Sequence, residues 1–117
     1  MKQFATTNSE IDVTMEIQTS LSEDESTLTL SLFGKFDYTC QQQFQSAYEA
    51  VSPKPGKFVL DALELHSLDS SALGMLLLLR NHAGGDDADV AIINAIPDIL
   101  KLLQTCKFDE LFAVTAL

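Results

Sequence analysis

The amino-acid sequence predicts an α/β fold that opens with a β-hairpin. Three observations carry that prediction. Two N-terminal stretches alternate apolar and polar residues at the period of a strand. Two later runs, short and continuously apolar, read as strands covered on both faces. Stretches with apolar residues at helical spacing fill the intervals between and after them. Hairpin, helix, strand, helix, strand, helix is an α/β order, and two strands joined through a helix are expected to run parallel.

The elements follow in sequence. Residues 1–11 are polar and predict a loose N-terminal arm, with 12–117 as the folded domain. Val13, Met15 and Ile17 alternate with Thr14, Glu16 and Gln18. After a polar turn over Ser22 to Ser26, Leu28, Leu30 and Leu32 share one face of a second strand, which Gly34 is expected to close. Asp37 or Thr39 caps a first helix, in which Phe44, Ala47, Tyr48 and Val51 recur at helical spacing. Pro53, Pro55 and Gly56 stop it. Phe58-Val59-Leu60 is a buried strand expected to end at Asp61. A second helix opens at Asp69-Ser70-Ser71 and runs to about His82, followed by a Gly84-Gly85-Asp86-Asp87 loop. Val90 to Ile93 is the next strand, and Pro97 starts a third helix. Phe108 to Val114 is a short apolar ending of open type.

Composition narrows the function. The 117 residues carry 17 acids against 7 bases, a net charge of −10. Neutralising phosphates needs clustered Lys and Arg, and none cluster here, so neither nucleic acid nor an anionic membrane surface is an expected partner. The longest apolar stretch, Ala72 to Leu79, falls far short of the ~20 residues of a bilayer span. The first residues lack the apolar segment of a secretory signal, which points to a cytoplasmic protein. Cys40 and Cys106 have neither metal-ligand spacing nor a disulfide framework around them.

Catalytic motifs are missing too. The chain has no Gly-rich phosphate loop and no nucleophile elbow. His66 and His82 read as surface or loop histidines, and Asp86, Asp87 and Asp89 lack the order of a calcium loop. No cofactor, no metal and no enzymatic activity are expected. The segment that stands apart is Leu68-Asp69-Ser70-Ser71-Ala72-Leu73-Gly74. Asp69 is placed to cap the second helix, which by itself is ordinary capping chemistry. The same geometry makes Ser70 a candidate switch. A phosphate at a helix N-terminus meets free N–H groups and about half a positive charge, so the fold tolerates it. It adds about −1.5 to −2 charges, enough to repel a partner docked there. Ala72, Leu73, Met75 and Leu76 to Leu79 are more apolar positions than one core stripe needs, so the helix is either covered all round or exposes a docking patch.

Taken together these residues resemble the STAS domain family, in particular its stand-alone anti-sigma factor antagonists. The resemblance runs over Thr27 to Val114 and rests on Leu32-Phe33-Gly34-Lys35-Phe36-Asp37, Phe58-Val59-Leu60-Asp61, Leu68 to Gly74, Ile92-Ile93-Asn94 and Phe108 to Phe112. It implies a mixed sheet with helices packed on it, and phosphorylation at Ser70. The implied partners are a GHKL-type serine kinase that is also the anti-sigma factor, bound when Ser70 is unphosphorylated, and a PP2C-type phosphatase. Asp37, Asp69, Ser71, Ala72, Leu73 and Met75 are the implied partner-binding residues. Relatives of this kind also serve as scaffolds or as ligand- and nucleotide-sensing modules, for example in biofilm regulation, and that is the alternative reading. Two departures from the family pattern carry expectations. Ala72 stands where Gly is usual and would add a methyl at the partner surface. Lys107 stands where Gly is frequent, which argues against a left-handed helix cap there.

Overall fold

The computed structural model describes residues 15–117. The expected N-terminal arm, and Val13 and Thr14 of the first strand, lie outside the described residues. Five strands and three helices follow: β1 (Met15–Leu21), β2 (Thr27–Phe36), α1 (Gln41–Glu49), β3 (Lys57–Leu68), α2 (Ser70–His82), β4 (Val90–Ala95), α3 (Pro97–Thr105) and β5 (Ala113–Ala116). Short 3-10 turns occupy Tyr38–Cys40, Gly85–Asp87 and Phe108–Glu110. The sheet order is β1-β2-β3-β4-β5. β1 and β2 form the antiparallel hairpin, and every later pairing is parallel. The sheet is therefore mixed, as expected.

One face of the sheet is buried and the other is not. Leu28, Leu30 and Leu32 of β2 meet Phe58, Leu60 and Ala62 of β3 and Val90 and Ile92 of β4 in a single core cluster. Phe44 of α1, Leu76 of α2 and Ile99 of α3 complete that same cluster, so all three helices cover the same side. Val59, Asp61 and Ile93 on the opposite face are only half-buried, and Leu63 is exposed. The expectation of strands covered on both faces is thus corrected. A parallel pair reads as continuously apolar here because Val59 and Ile93 line a half-open sheet face, not a second helical layer.

Two strand ends also move. Gly34 does not close β2. It sits at φ +100° beside a register shift, and the strand continues to Phe36. Asp61 does not end β3. It ends the pairing with β4, which spans Phe58–Asp61, while β3 runs on against β2 to Leu68. The Asp61 carboxylate accepts from the Leu63 N–H (3.1 Å) and from Asn94 Nδ2 (3.1 Å), joining the two strands where they part. Pro97 opens α3 as expected. Past α3, Lys107 adopts the left-handed conformation (φ +62°, ψ +27°) and its N–H donates to the Gln104 carbonyl. The expectation against such a cap is overturned. The last turn of α3 has carbonyls to satisfy and a chain to reverse, and the short link to β5 imposes this geometry on a non-glycine residue.

Candidate functional site

The C-terminal ends of β2 and β3 set the site. Phe36 and Leu68 are register partners at the last rung of their pairing, and the Asp69 N–H donates to the Phe36 carbonyl (3.2 Å). The two chain exits, Asp37 and Asp69, therefore leave the sheet side by side. Each begins a helical segment, and each caps it. The Asp37 carboxylate accepts from both the N–H and the hydroxyl of Thr39 at the start of the Tyr38–Cys40 turn. The Asp69 carboxylate accepts from the Ala72 N–H (2.9 Å), and its carbonyl accepts from the Leu73 N–H.

These bonds fix the electrostatics. The Thr39 hydroxyl, seconded by the Thr39 N–H, the Cys40 thiol and the charge of Lys35, holds the Asp37 carboxyl below its ordinary range, against a partial loss of hydration. Asp37 is accordingly a carboxylate at neutral pH. At the head of α2, the N–H groups of Ser70 and Ser71 have no intrahelical acceptor, as helix geometry dictates. Asp69 lies there as the favourable charge for a positive helix end.

The structure places the expected site residues in two groups. Asp69, Ser70 and Ser71 are exposed, Asp37 and Leu73 are half-buried, and all lie at the outer rim of α2 or beside its start. Ala72 and Met75 face the other way. At 0% and 6% exposure they belong to the core, so neither presents a side chain to a partner. The Ala72 methyl is a core methyl. It lies on the inner face of α2, within the same buried cluster as the sheet residues.

The outer face of α2 also holds Gly74, at the end of the Leu68–Gly74 segment, and two leucines beyond it. Leu77 and Leu78 are 41% and 52% exposed, which resolves the excess of apolar positions in favour of an exposed remainder. Gly74 is exposed, and a Cβ built on it meets no atom within 4 Å. A glycine inside a helix costs about 1 kcal/mol relative to alanine, and among the described residues no packing neighbour requires it. The available signal in the sequence was spacing. Residues four and seven after Ser70 share its helical stripe, and those are Gly74 and Leu77.

A void of about 10 Å³ under α2, lined by Leu32, Phe36, Leu65, Leu76 and other apolar side chains, has room for about one water and no polar group to hold it. A dent of about 180 Å³ lies between Ser31, Phe33, Asp61, Leu63 and Glu64. Among the described residues no group of three or more His, Cys, Asp and Glu is placed to hold a metal ion. No helix among them is long and apolar enough to cross a membrane.

Comparison with known proteins agrees with this architecture. The family model described as "Mlab, STAS domain" matches residues 19–114. A STAS-domain containing protein of Pseudomonas aeruginosa (strain UCBPP-PA14) is 43% identical over 101 residues, covering 86% of this chain and 100% of that protein. Among solved structures, an anti-sigma factor antagonist from Mycobacterium paratuberculosis superposes with a TM-score of 0.66 at 16% identity, covering 86% of each chain. The Bacillus cell fate determinant SpoIIAA, in its phosphorylated form, superposes with a TM-score of 0.61 at 16% identity, covering 85% of this chain and 90% of that one. At such identities the structural likenesses establish the fold. The family model and the Pseudomonas relative, each spanning most of the chain, place this protein in the STAS domain family.

Proposed function

We propose that this chain is a phosphorylation-switched anti-sigma factor antagonist. It binds a GHKL-type serine kinase that doubles as the anti-sigma factor while Ser70 carries a free hydroxyl, and it releases that protein once Ser70 is phosphorylated. A PP2C-type phosphatase restores the binding form. The chain is substrate and binding module in this scheme, with no catalytic step of its own, and it acts in the cytoplasm.

The observation that supports this reading is the position of Ser70. It is exposed, it is the first residue of α2, and Asp69 caps the helix without using the Ser70 hydroxyl. A phosphate added there sits at the positive end of the helix, so the fold remains intact. The same phosphate stands beside Asp37 and Asp69 and raises the local negative charge by about 1.5 to 2. A docked partner loses both fit and electrostatic balance, while the domain loses neither. The relatives support the class: one structural neighbour is described as an anti-sigma factor antagonist and another as a phosphorylated protein. A nucleotide-sensing role has less behind it: ligand pockets run to about 300–1,000 Å³, and the dent between Ser31 and Glu64 offers about 180 Å³.

The test is direct. Incubation with the kinase and ATP, followed by mass spectrometry, is expected to place one phosphate on Ser70 and none on the Ser70→Ala protein. Ser70→Ala is expected to bind the kinase constitutively, and Ser70→Asp to bind it at least tenfold more weakly. Phosphate at another position, or equal affinities for the two variants, sinks the reading.

A further inference from the structure

We propose that the outer edge of β1 pairs with the same edge of a second copy of this chain, antiparallel and centred on Thr19, so that two sheets join into one. β1 is an end strand, and among the described residues nothing pairs with its outer side. Open strand edges invite further strands, and proteins usually guard them with lysine, proline, a bulge or a short strand. β5, the opposite end strand, is guarded by its length of four residues. β1 has seven, contains neither lysine nor proline, and keeps an unbroken register with β2 from Met15 to Leu21. The phase of its hydrogen bonds decides which groups it offers. The Ser22 N–H donates to the Thr27 carbonyl (2.9 Å), so the main chain of Ser22 faces β2. Main-chain groups alternate sides along a strand. Ile17, Thr19 and Leu21 therefore aim their N–H and C=O groups outward.

An antiparallel copy centred on Thr19 sets Thr19 opposite its own equivalent and Ile17 opposite Leu21, and each such pair exchanges both N–H···O bonds. Ile17 and Leu21 lie on the helix side of the sheet, on the same face as their buried register partners Leu32 and Leu28. Ile17 is half-buried and Leu21 is 39% exposed, so the pairing covers apolar surface that one copy leaves open. Apolar pairs and threonine pairs across strands are both favourable. Charge selects the occupant. The chain carries 17 acids, yet β1 holds only Glu16 and the neighbouring α1 only Glu49. In the Thr19-centred register Glu16 stands opposite Ser22, so no acid of the strand faces another. A basic partner finds little to hold at this edge, whereas a second copy finds a nearly uncharged strand that matches itself. The other acids still repel between molecules of net charge −10, so salt is expected to strengthen the pairing by screening. β2 separates this edge from β3, which leads into Ser70, and the pairing does not rest on the function proposed above.

The full chain is tested by sedimentation over rising protein concentration, at low and at high salt. Wild type is expected to pass from monomer to dimer, and to do so at lower concentration in high salt. Thr19→Lys sets two like charges opposite each other at the centre of the pairing and is expected to move that midpoint at least tenfold upward. Leu63→Lys, on the open sheet face, is expected to leave it unchanged. Thr19 is exposed, so the thermal midpoint of dilute Thr19→Lys is expected to match that of dilute wild type. Cross-linking reads the register. The background is Cys106→Ser, which removes the exposed thiol and leaves the buried Cys40. There Thr19→Cys is expected to close into a disulfide-linked dimer under mild oxidation. Opposed hydrogen-bonded residues lie about 5.5 Å apart between Cα atoms, inside the range a disulfide spans. Leu21→Cys, which faces Ile17, is expected to cross-link at least tenfold more slowly. A monomer at every concentration overturns the proposal, whether residues 1–14 or a different protein takes the edge. So does a dimer that Leu63→Lys abolishes and Thr19→Lys spares, or cross-linking through Leu21→Cys as fast as through Thr19→Cys.

Discussion

At the residue scale, Asp69 shows how a single side chain serves structure and site together. Its carboxylate accepts from the Ala72 N–H at 2.9 Å, and its own N–H ties α2 back to Phe36. Replacing a capping aspartate with alanine costs about 0.5–2 kcal/mol, and Asp69→Ala is expected to lower stability by that amount in urea unfolding. Asp69→Asn keeps the acceptor and is expected to stay within about 0.5 kcal/mol of wild type. An Asn variant as unstable as the Ala variant would mean that charge, not the hydrogen bond, holds the helix start. Asp69 and Ser70 were legible in the sequence because a cap needs a particular residue type at a particular place. Ala72 and Met75 were not. Their neighbours in sequence are apolar too, and only the turn of the helix about its own axis decides which of them face the core.

At the element scale, boundaries were harder to read than elements. β3 shows why. Asp61 is a poor strand residue, so the apolar run Phe58 to Leu60 looked complete without it. Its pairing with β2 extends to Leu68 regardless, since Leu65 supplies a further buried position after the Ser31/Phe33 register shift. A shift of that kind breaks the period of two on which strand reading depends. Lys107 misled in the opposite way. A lysine argues against a left-handed cap, yet Lys107 adopts one in the turn from α3 toward β5. Left-handed backbone costs an ordinary residue roughly 1–2 kcal/mol, and part of that gain is returned when glycine loosens the unfolded chain. Lys107→Gly is therefore expected to stabilise the domain by up to about 1 kcal/mol, read as a higher urea midpoint at unchanged m-value. A lower midpoint would show that the lysine side chain contributes more than its backbone costs.

At the scale of the whole molecule, the two-layer build divides the surface by consequence. The three helices of the described residues lie on one side of the sheet, so stability is concentrated there and the opposite face contributes little. Phe44 marks the dense side. It is 1% exposed, and its ring meets Phe36 at 4.9 Å and Tyr48 at 5.4 Å between centroids. Truncating such a residue removes buried area and leaves a cavity, at a cost of about 3–5 kcal/mol. That is a large part of the 5–15 kcal/mol that holds an ordinary domain folded. Leu63, 42% exposed on the other face, has little to lose, and its change to serine is expected to stay within about 1 kcal/mol. Phe44→Ala is thus expected to unfold at much lower urea than Leu63→Ser. Equal losses would place a second core on the open face and undo the two-layer account. The same division explains why a switch at Ser70 is mechanically safe. The rim of α2 is bound to the core through Ala72, Met75, Leu76 and Leu79, while Ser70, Gly74 and Leu77 point away from it. Charge added on the outer stripe reaches a docked partner before it reaches any buried contact of the fold.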